Sequence, residues 1–497
     1  MLGGLAGLGV AWVGVGVLLG FLPRGIFPVE LNLSPDIRLL GFAAGVSVLS
    51  GLIFGLAPAL RASRPDLVPA LKSDATFFDI ARSARWDLRR SLISLQVALS
   101  LLLLAGAGLF VRTLANLRGQ DPGMNRENLL FVDTNIGQLG YQPQRERDFH
   151  DRLRQRVQLL PGVRAVGLAA ITPLGGSRWN SDVQIEGYRW KPDERPYIDM
   201  NAVTPRYFEA AGIPILLGRD FRDSDNLAVL PDRPAQSPPP GTRLPDLPGP
   251  PRVAIVNEAF ARRFFGGQSA VGRRLCMGDK WDPARTREIV GVVQDARYFN
   301  LRQAVEPMIY QPLYRERGGG VNTLLRTTND PNRIVETIRR LVQELDGAVS
   351  VTSTTTMEDN LNRNLVEERV VATLGGFFGL VALLLAAIGL YGVMSQAVAQ
   401  RTREIGIRIT LGAEAAHVLW MVLRDALVLV LLGAVAGVPA VLVLTRYTES
   451  LLFGVKPQDP ATLALAALLL LSVTLLAGFL PARRATRVEP IVALRHE

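Results

Sequence analysis

The sequence predicts an α-helical multispanning membrane protein with an inserted, mixed α+β extracytoplasmic domain. Three observations carry this. Six stretches contain no Asp, Glu, Lys or Arg: Met1–Pro23, Leu39–Leu60, Ser91–Val111, Val370–Gln400, Ala426–Thr445 and Pro460–Ala482. Each is close to or above the ~20 residues a helix needs to cross a bilayer. The chain is 48% hydrophobic with a mean hydropathy of +0.21, yet 20% charged, so its charges are segregated. Finally, one ending occurs twice. Pro58-Ala59-Leu60-Arg61-Ala62-Ser63-Arg64 returns as Pro481-Ala482-Arg483-Arg484-Ala485-Thr486-Arg487, and the agreement runs on through Asp66/Glu489, Val68/Ile491, Ala70/Ala493, Leu71/Leu494 and Lys72/Arg495. Each copy closes an apolar run, which marks an internal duplication.

The elements follow in order. Residues 1–60 read as the last two spans of a first copy that is cut short, either a fragment or a gene model begun at an internal Met. The first run lacks a basic segment before it, and Arg24 comes after it, so it reads as a span rather than a signal peptide. Residues 61–90 form a basic linker with Arg61, Arg64, Lys72, Arg82, Arg85, Arg89 and Arg90. Residues 91–117 hold the first span and stalk of the second copy, which Asp121-Pro122-Gly123 stops. Residues 118–366 form the inserted domain, and 367–497 carry spans at 370–396, 417–445 and 460–482. Placing the basic linker inside also places Arg401, Arg403 and Arg408, and the C-terminal Arg483, Arg484, Arg487 and Arg495, on the same side. That is the positive-inside bias. The C-terminus is then cytoplasmic, and 118–366 lies on the far side of the membrane.

Within the inserted domain, Phe149, Leu153, Val157 and Leu160 make a helical stripe ended by Pro161-Gly162. A second helix has Asp330 as N-cap and Pro331 in its first turn, with Ile334, Ile338, Leu341, Val342 and Leu345 on one face. Arg252–Val256 and Glu288–Val293 read as buried strands, and Val349/Val351 with the following threonines as another. Residues 229–251 are a Pro-rich insertion. A helical pattern from about Met357, through Leu361 and Leu365, to Gln400 predicts one helix of roughly 60 Å, about twice a hydrocarbon core, whose excess would form a stalk.

Composition narrows the function classes. A net charge of +10 would suggest nucleic acid in a soluble protein, but the basic residues flank the spans and no basic stripe carries interleaved aromatics. The lone Cys276 excludes an intrachain disulfide and reads as a buried thiol. His150, His417 and His496 stand far apart, so no metal-ligating cluster is visible and no cofactor is expected. No Gly-Lys dipeptide occurs, so no Walker A loop cradles phosphates. The uncharged span interiors argue against a proton-coupled carrier. Gly3-x-x-x-Gly7 corresponds to Gly433-x-x-x-Gly437 in the second copy, a spacing that lets helices pack closely in lipid. Asn257-Glu258-Ala259 with Arg262 reads as a strand entering a helix rather than as a polar site. Phe264-Phe265 is either core or an exposed contact.

The inner loop is the sharpest candidate. Ala386-Ala387-Ile388-Gly389-Leu390-Tyr391-Gly392-Val393 is followed by Arg401-Thr402-Arg403-Glu404-Ile405-Gly406-Ile407-Arg408 and Leu411-Gly412-Ala413. This resembles the signature of MacB/FtsX-type permeases of ABC systems, and most closely the acidobacterial duplicated orphan permease family. Leu160-Pro161-Gly162-Val163, Thr204-Pro205-x-Tyr207-Phe208, Gly212-Ile213-Pro214, Gly218-Arg219-x-Phe221, Ile255–Ala259 and Ile289–Val293 resemble the MacB-like periplasmic core domain. The resemblance implies FtsX-like transmembrane helices, a separate ABC ATPase subunit as partner, contact with membrane lipid and a second permease copy. It makes Arg403, Glu404, Gly406, Arg408, Leu411 and Gly412 the ATPase-coupling residues; the alternative is an ordinary basic loop that fixes topology. A full duplicated permease would have two outer domains and eight spans, which this chain lacks. The expected function is a permease subunit that transmits motion across the membrane with no catalytic residues of its own. The alternative is an envelope signalling or scaffold protein without an ATPase.

Overall fold

The computed structural model describes residues 76–226, 252–316, 321–400, 414–456 and 458–485, with scattered positions between 7 and 48. Most of the expected spans 1–23 and 39–60, the insertion 229–251 and the loop 401–413 lie outside the described residues. Two compact units emerge: Gly119–Leu365, and Met1–Arg118 together with Val366–Glu497.

The helices used below are α1 (Thr76–Gly119), α2 (Pro143–Gln158), α3 (Tyr207–Ala211), α4 (Glu258–Phe265), α5 (Val335–Leu345), α6 (Met357–Asn364), α7 (Val366–Gln400), α8 (Ala415–Tyr447) and α9 (Pro460–Ala485). The strands are β1 (Leu129–Thr134), β2 (Val163–Ala169), β3 (Asn180–Ile185), β4 (Tyr197–Val203), β5 (Ile215–Gly218), β6 (Val253–Asn257), β7 (Arg274–Met277), β8 (Thr286–Val293), β9 (Met308–Pro312), β10 (Asn322–Thr327) and β11 (Val351–Thr356).

In the unit Gly119–Leu365, all eleven strands join one sheet with two parts. One part is an antiparallel limb in the order β11-β1-β10-β2. Helices α2 and α5 bury their apolar stripes on it: Phe149, Leu153, Val157, Ile338 and Val342 meet Leu130, Val132, Val166 and Leu325. Each helix is largely polar away from that stripe, so its burial, not propensity, fixes these helices. The other part is a closed ring. Strand β4 pairs with β3, β3 with β7, β7 with β8, β8 with β6, β6 with β9, and β9 returns parallel to β4. Closure removes the free edges a flat sheet of these strands would expose. Helix α4 packs Phe260 and Phe264 against Val183, Ile198, Ala254, Val256, Leu275, Ile289 and Ile309 of the ring strands. A single pair, Ala169 opposite Val203, joins limb to ring.

Two sequence expectations are refined. Asp330 caps a 3-10 turn, Pro331–Ile334, and the α-helix proper begins at Val335. The helix expected to run unbroken from Met357 to Gln400 is interrupted at Leu365, whose backbone lies at φ −103°, ψ 13°. The reason is polar. Asn360 Nδ2 donates to the Pro173 carbonyl at 3.1 Å, and Asn364 Nδ2 donates to the Leu174 carbonyl at 2.7 Å. Thr356 and Asp359 form a reciprocal capping box that gives α6 its own beginning.

Among the described residues of the other unit, four helical segments are long and apolar enough to cross a membrane: Ser91–Gly119, Val366–Ala399, Leu419–Tyr447 and Pro460–Arg484. The segment of α1 is the most enclosed, with 44% of its apolar window buried against 22–28% for the others. Val97, Leu390, Met394, Ala426, Leu429 and Leu470 form one core, and Leu101, Ala105, Val441 and Ala466 another.

Candidate functional site

The residues expected to couple to an ATPase, Arg403, Glu404, Gly406, Arg408, Leu411 and Gly412, lie outside the described residues. The two anchors of that loop are described. Helix α7 runs to Gln400. Glu414, extended at φ −66°, ψ 142°, begins α8, and its carbonyl accepts from His417 N at 3.0 Å. Near these anchors the signature motif meets the repeated ending. Arg484 Nη1 of α9 donates to the Tyr391 hydroxyl of α7 at 3.1 Å. Tyr391 is half-buried against the core that contains Leu390 and Met394. Its ring supplies apolar contact while its hydroxyl reaches the guanidinium, the usual division of labour for a tyrosine at a polar boundary.

The helices around these anchors approach each other through glycine. A Cβ built on Gly433 would lie 2.4 Å from Val97 Cγ1 and 2.9 Å from the Ser94 carbonyl oxygen. One on Gly437 would lie 3.1 Å from Ala98 Cα. Helices α8 and α1 therefore touch where a side chain would hold them apart, which suits association in lipid. Among the described residues a Cβ on Gly7 would meet nothing within 4 Å, and Gly3 lies outside them.

Sequence reasoning missed a second glycine face. On α7 a Cβ at Gly375 would lie 3.3 Å from Ala107 Cα, and one at Gly379 the same distance from Leu104 Cδ2. At Gly389, inside the signature motif, it would lie 2.8 Å from Gln96 Oε1. Gly375 and Gly379 have the spacing already singled out at Gly433 and Gly437, so the signal was present. The Ser100 hydroxyl adds a polar tie, 2.8 Å from the Gln96 carbonyl and 3.1 Å from that of Ala382 on α7. Helix α1 is thus the common neighbour of α7 and α8.

In the unit Gly119–Leu365, the motifs singled out in the sequence serve packing. Thr204-Pro205-x-Tyr207-Phe208 buries both aromatic rings, at 0% and 1% exposure. The hydroxyls of Tyr207 and Tyr298 hydrogen-bond, and burial pushes the Tyr298 phenol up to about 12. Burial disfavours the phenolate of both, and in their shared bond one hydroxyl donates and the other accepts. Gly212 sits at φ +69°, where a Cβ would also lie 2.7 Å from Asn125 Cβ. Arg326, only 8% exposed, donates to the carbonyls of Ala210 and Glu127 at 2.8 Å and of Asn125 at 3.1 Å. Burial lowers the pKa of its guanidinium from the usual value. Asn257 caps α4, accepting from Phe260 N at 3.0 Å and Met308 N at 2.9 Å while donating to the Glu306 carbonyl at 2.9 Å. Arg262 reaches Asp295 at 3.0 Å. Phe264 is core and Phe265 is partly buried against it. Cys276 is fully buried. Among the described residues no cluster of His, Cys, Asp or Glu is arranged to hold a metal.

Comparison with known proteins now fits this geometry. Residues 95–359 match the MacB-like periplasmic core domain, and residues 376–490 match the FtsX-like permease C-terminal region. The chain is 26% identical to the macrolide export ATP-binding/permease protein MacB of Chromobacterium violaceum, over 69% of this chain and 54% of that one. It is 24% identical to the uncharacterized ABC transporter permease YknZ of Bacillus subtilis, over 61% and 72%. The chain spans about half the length of that MacB and 38% of the MacB of Agrobacterium fabrum that it also matches. The crystal structure of the periplasmic region of MacB from Actinobacillus actinomycetemcomitans aligns over 50% of this chain and 94% of that one, at 11% identity and a TM-score of 0.30. On the family matches, the expected fold class holds: FtsX-like transmembrane helices carry a MacB-like α+β domain. With more than half its length matched by one family model, the chain belongs to the MacB-like periplasmic core domain family, as an inner-membrane ABC transporter permease of MacB/FtsX type with a periplasmic segment.

Proposed function

We propose that this permease couples ATP hydrolysis in a separate ABC ATPase subunit to conformational change on the periplasmic side. Loop 401–413 is the coupling element, with Arg403, Glu404, Gly406, Arg408, Leu411 and Gly412 meeting the ATPase. The observation that carries the reading is the Arg484–Tyr391 contact, which ties α9 to α7 near the loop's anchors. A push on the loop would be shared by both helices, and the glycine contacts of α1 with α7 and α8 would pass it on. Such transmission needs packed elements that move as units, which close helix contacts supply.

The relatives' names give macrolide export for MacB and pyoverdine export for PvdT of Pseudomonas savastanoi pv. phaseolicola. Outward movement is common to both, and we adopt it here without a cargo. The repeated ending at residues 58–72 and 481–495 supports membership of the duplicated orphan class, and its basic residues support a cytoplasmic position for both endings and the C-terminus. A second permease copy completes the assembly.

The test is co-purification of the full-length protein with ATPase subunits in lipid nanodiscs, followed by ATP turnover. Stimulated turnover that Glu404→Ala and Gly406→Leu abolish, with the complex still monodisperse, is the expected result. No ATPase bound, and both variants behaving as the parent, would leave the scaffold reading standing instead.

A further inference from the structure

The loop joining α8 to α9 is held by one face of α1. Arg112 forms an ion pair with Asp459. One residue on, the Thr113 hydroxyl accepts from Phe453 N at 3.4 Å. One helical turn from Arg112, Asn116 Nδ2 donates to the carbonyls of Phe453 at 3.3 Å and Gly454 at 3.1 Å. The loop is shaped for this. Gly454 sits at φ +63°, a conformation L side chains resist, and a Cβ there would lie 3.0 Å from Asn116 Nδ2.

Asp459 has a second task. The same Oδ2 that meets Arg112 accepts from Thr462 N at 3.0 Å and from Thr462 Oγ1 at 2.5 Å, capping the first turn of α9. Hydrogen bonding from Thr462, with Arg112 nearby, holds this carboxyl below the usual carboxylate range. Thr462 in turn projects its methyl toward Gly108 of α1, where a Cβ would come within 2.6 Å. One carboxylate thus joins a helix cap, an ion pair and a helix crossing.

The two partners differ in exposure. The Asp459 side chain is 15% exposed, but that of Arg112 is 48% exposed. An ion pair with one arm in solvent contributes little to stability and can be broken and remade. The loop is not plugged into an apolar core either, since Leu451 is 47% exposed and Leu452 and Phe453 are only partly buried. What holds it to α1 is a set of directional polar contacts.

We infer that the loop between α8 and α9 works as a releasable latch: Arg112, Asn116 and Asp459 lock the end of α1, the loop and the start of α9 into one element, and opening the latch frees the start of α9 from the end of α1. The inference is independent of the ATPase coupling proposed above, because it concerns contacts within the permease alone.

The test is pulsed electron–electron distance measurement on the full-length protein in nanodiscs. Spin labels at Val111→Cys with Leu451→Cys report loop against α1. Labels at Val111→Cys with Leu465→Cys report α9 against α1. All three positions are exposed, and the native Cys276 is buried. The parent should give a narrow peak for each pair. Arg112→Gln with Asn116→Ala should lose the narrow peak for both pairs, and Arg112→Lys should restore it for the second. Unchanged distributions in the double variant would overturn the latch. So would a change confined to the loop pair, since the helices would then be held by other means. If the double variant does not give monodisperse protein, Asp459→Asn carries the test, because it keeps an acceptor for the cap while removing the charge.

Discussion

Gly433 and Val97 lie so close that a single methyl added to the glycine would stand 2.4 Å from a Val97 methyl. The contact sits in an apolar core, and the Ser94 carbonyl at 2.9 Å blocks the alternative direction. Gly433→Ala should therefore separate α8 from α1 or force both to shift, at about 1–3 kcal/mol. Gly433→Leu should cost more. Val97→Ala in the same chain should recover part of the Gly433→Ala loss. Thermal unfolding in detergent checks all three.

Arg326 should prove the least replaceable charge in the periplasmic unit. Its guanidinium satisfies three carbonyls at once from inside the fold. Arg326→Met leaves those acceptors buried without donors, which should cost about 3 kcal/mol or more. Arg326→Lys should fall between, because one ammonium cannot reproduce the planar fork. Urea denaturation midpoints rank the three.

His150 gives the molecule an acid sensitivity. It is 2% exposed, and burial lowers its pKa to about 4, below the ordinary value of 6.5. The unfolded chain then binds more protons than the folded one between those values. Stability from this group is fully present above about pH 6.5 and falls as pH drops toward 4, by roughly 3 kcal/mol in all. Replacing it by leucine, His150→Leu, should flatten the dependence of unfolding temperature on pH across that window.

Asn257→Ala removes a helix cap and two further buried bonds together. A loss of about 2 kcal/mol is expected, more than the ~1 kcal/mol of an ordinary cap. Asn257→Asp keeps the acceptor and loses the donor to Glu306, so it should lie between the two in thermal unfolding.

Much of this was legible in the chain. The spans announced themselves because a bilayer interior admits no unpaired charge, so charge-free runs such as Pro460–Ala482 need no tertiary context to be recognised. The stripe Phe149, Leu153, Val157 was equally plain, since its partners lie on one side. Strands β6 and β8 showed as continuous apolar runs because both faces are covered. The ring was not legible. Nothing in the spacing of β4 and β9 tells that they pair, because pairing is decided by the strands between them. The interruption at Leu365 was hidden because Asn360 and Asn364 look like solvent-facing residues until the carbonyls of Pro173 and Leu174 are brought to them. Gly375 and Gly379 could have been found by the spacing used at Gly433. Tyr391 could not be paired with Arg484, because their contact depends on how two distant helices cross.

The ring of strands also sets a schedule for manufacture. Strand β4 is made early, but its parallel neighbour β9 emerges only at Met308–Pro312. The outer limb waits longer still, for Asn135 meets Ser350 across 215 residues of chain. Contacts so distant in sequence make for slow folding. A nascent chain crossing the membrane must therefore carry β1 with one edge unpaired until β11 has been delivered, only a few residues ahead of the span that follows.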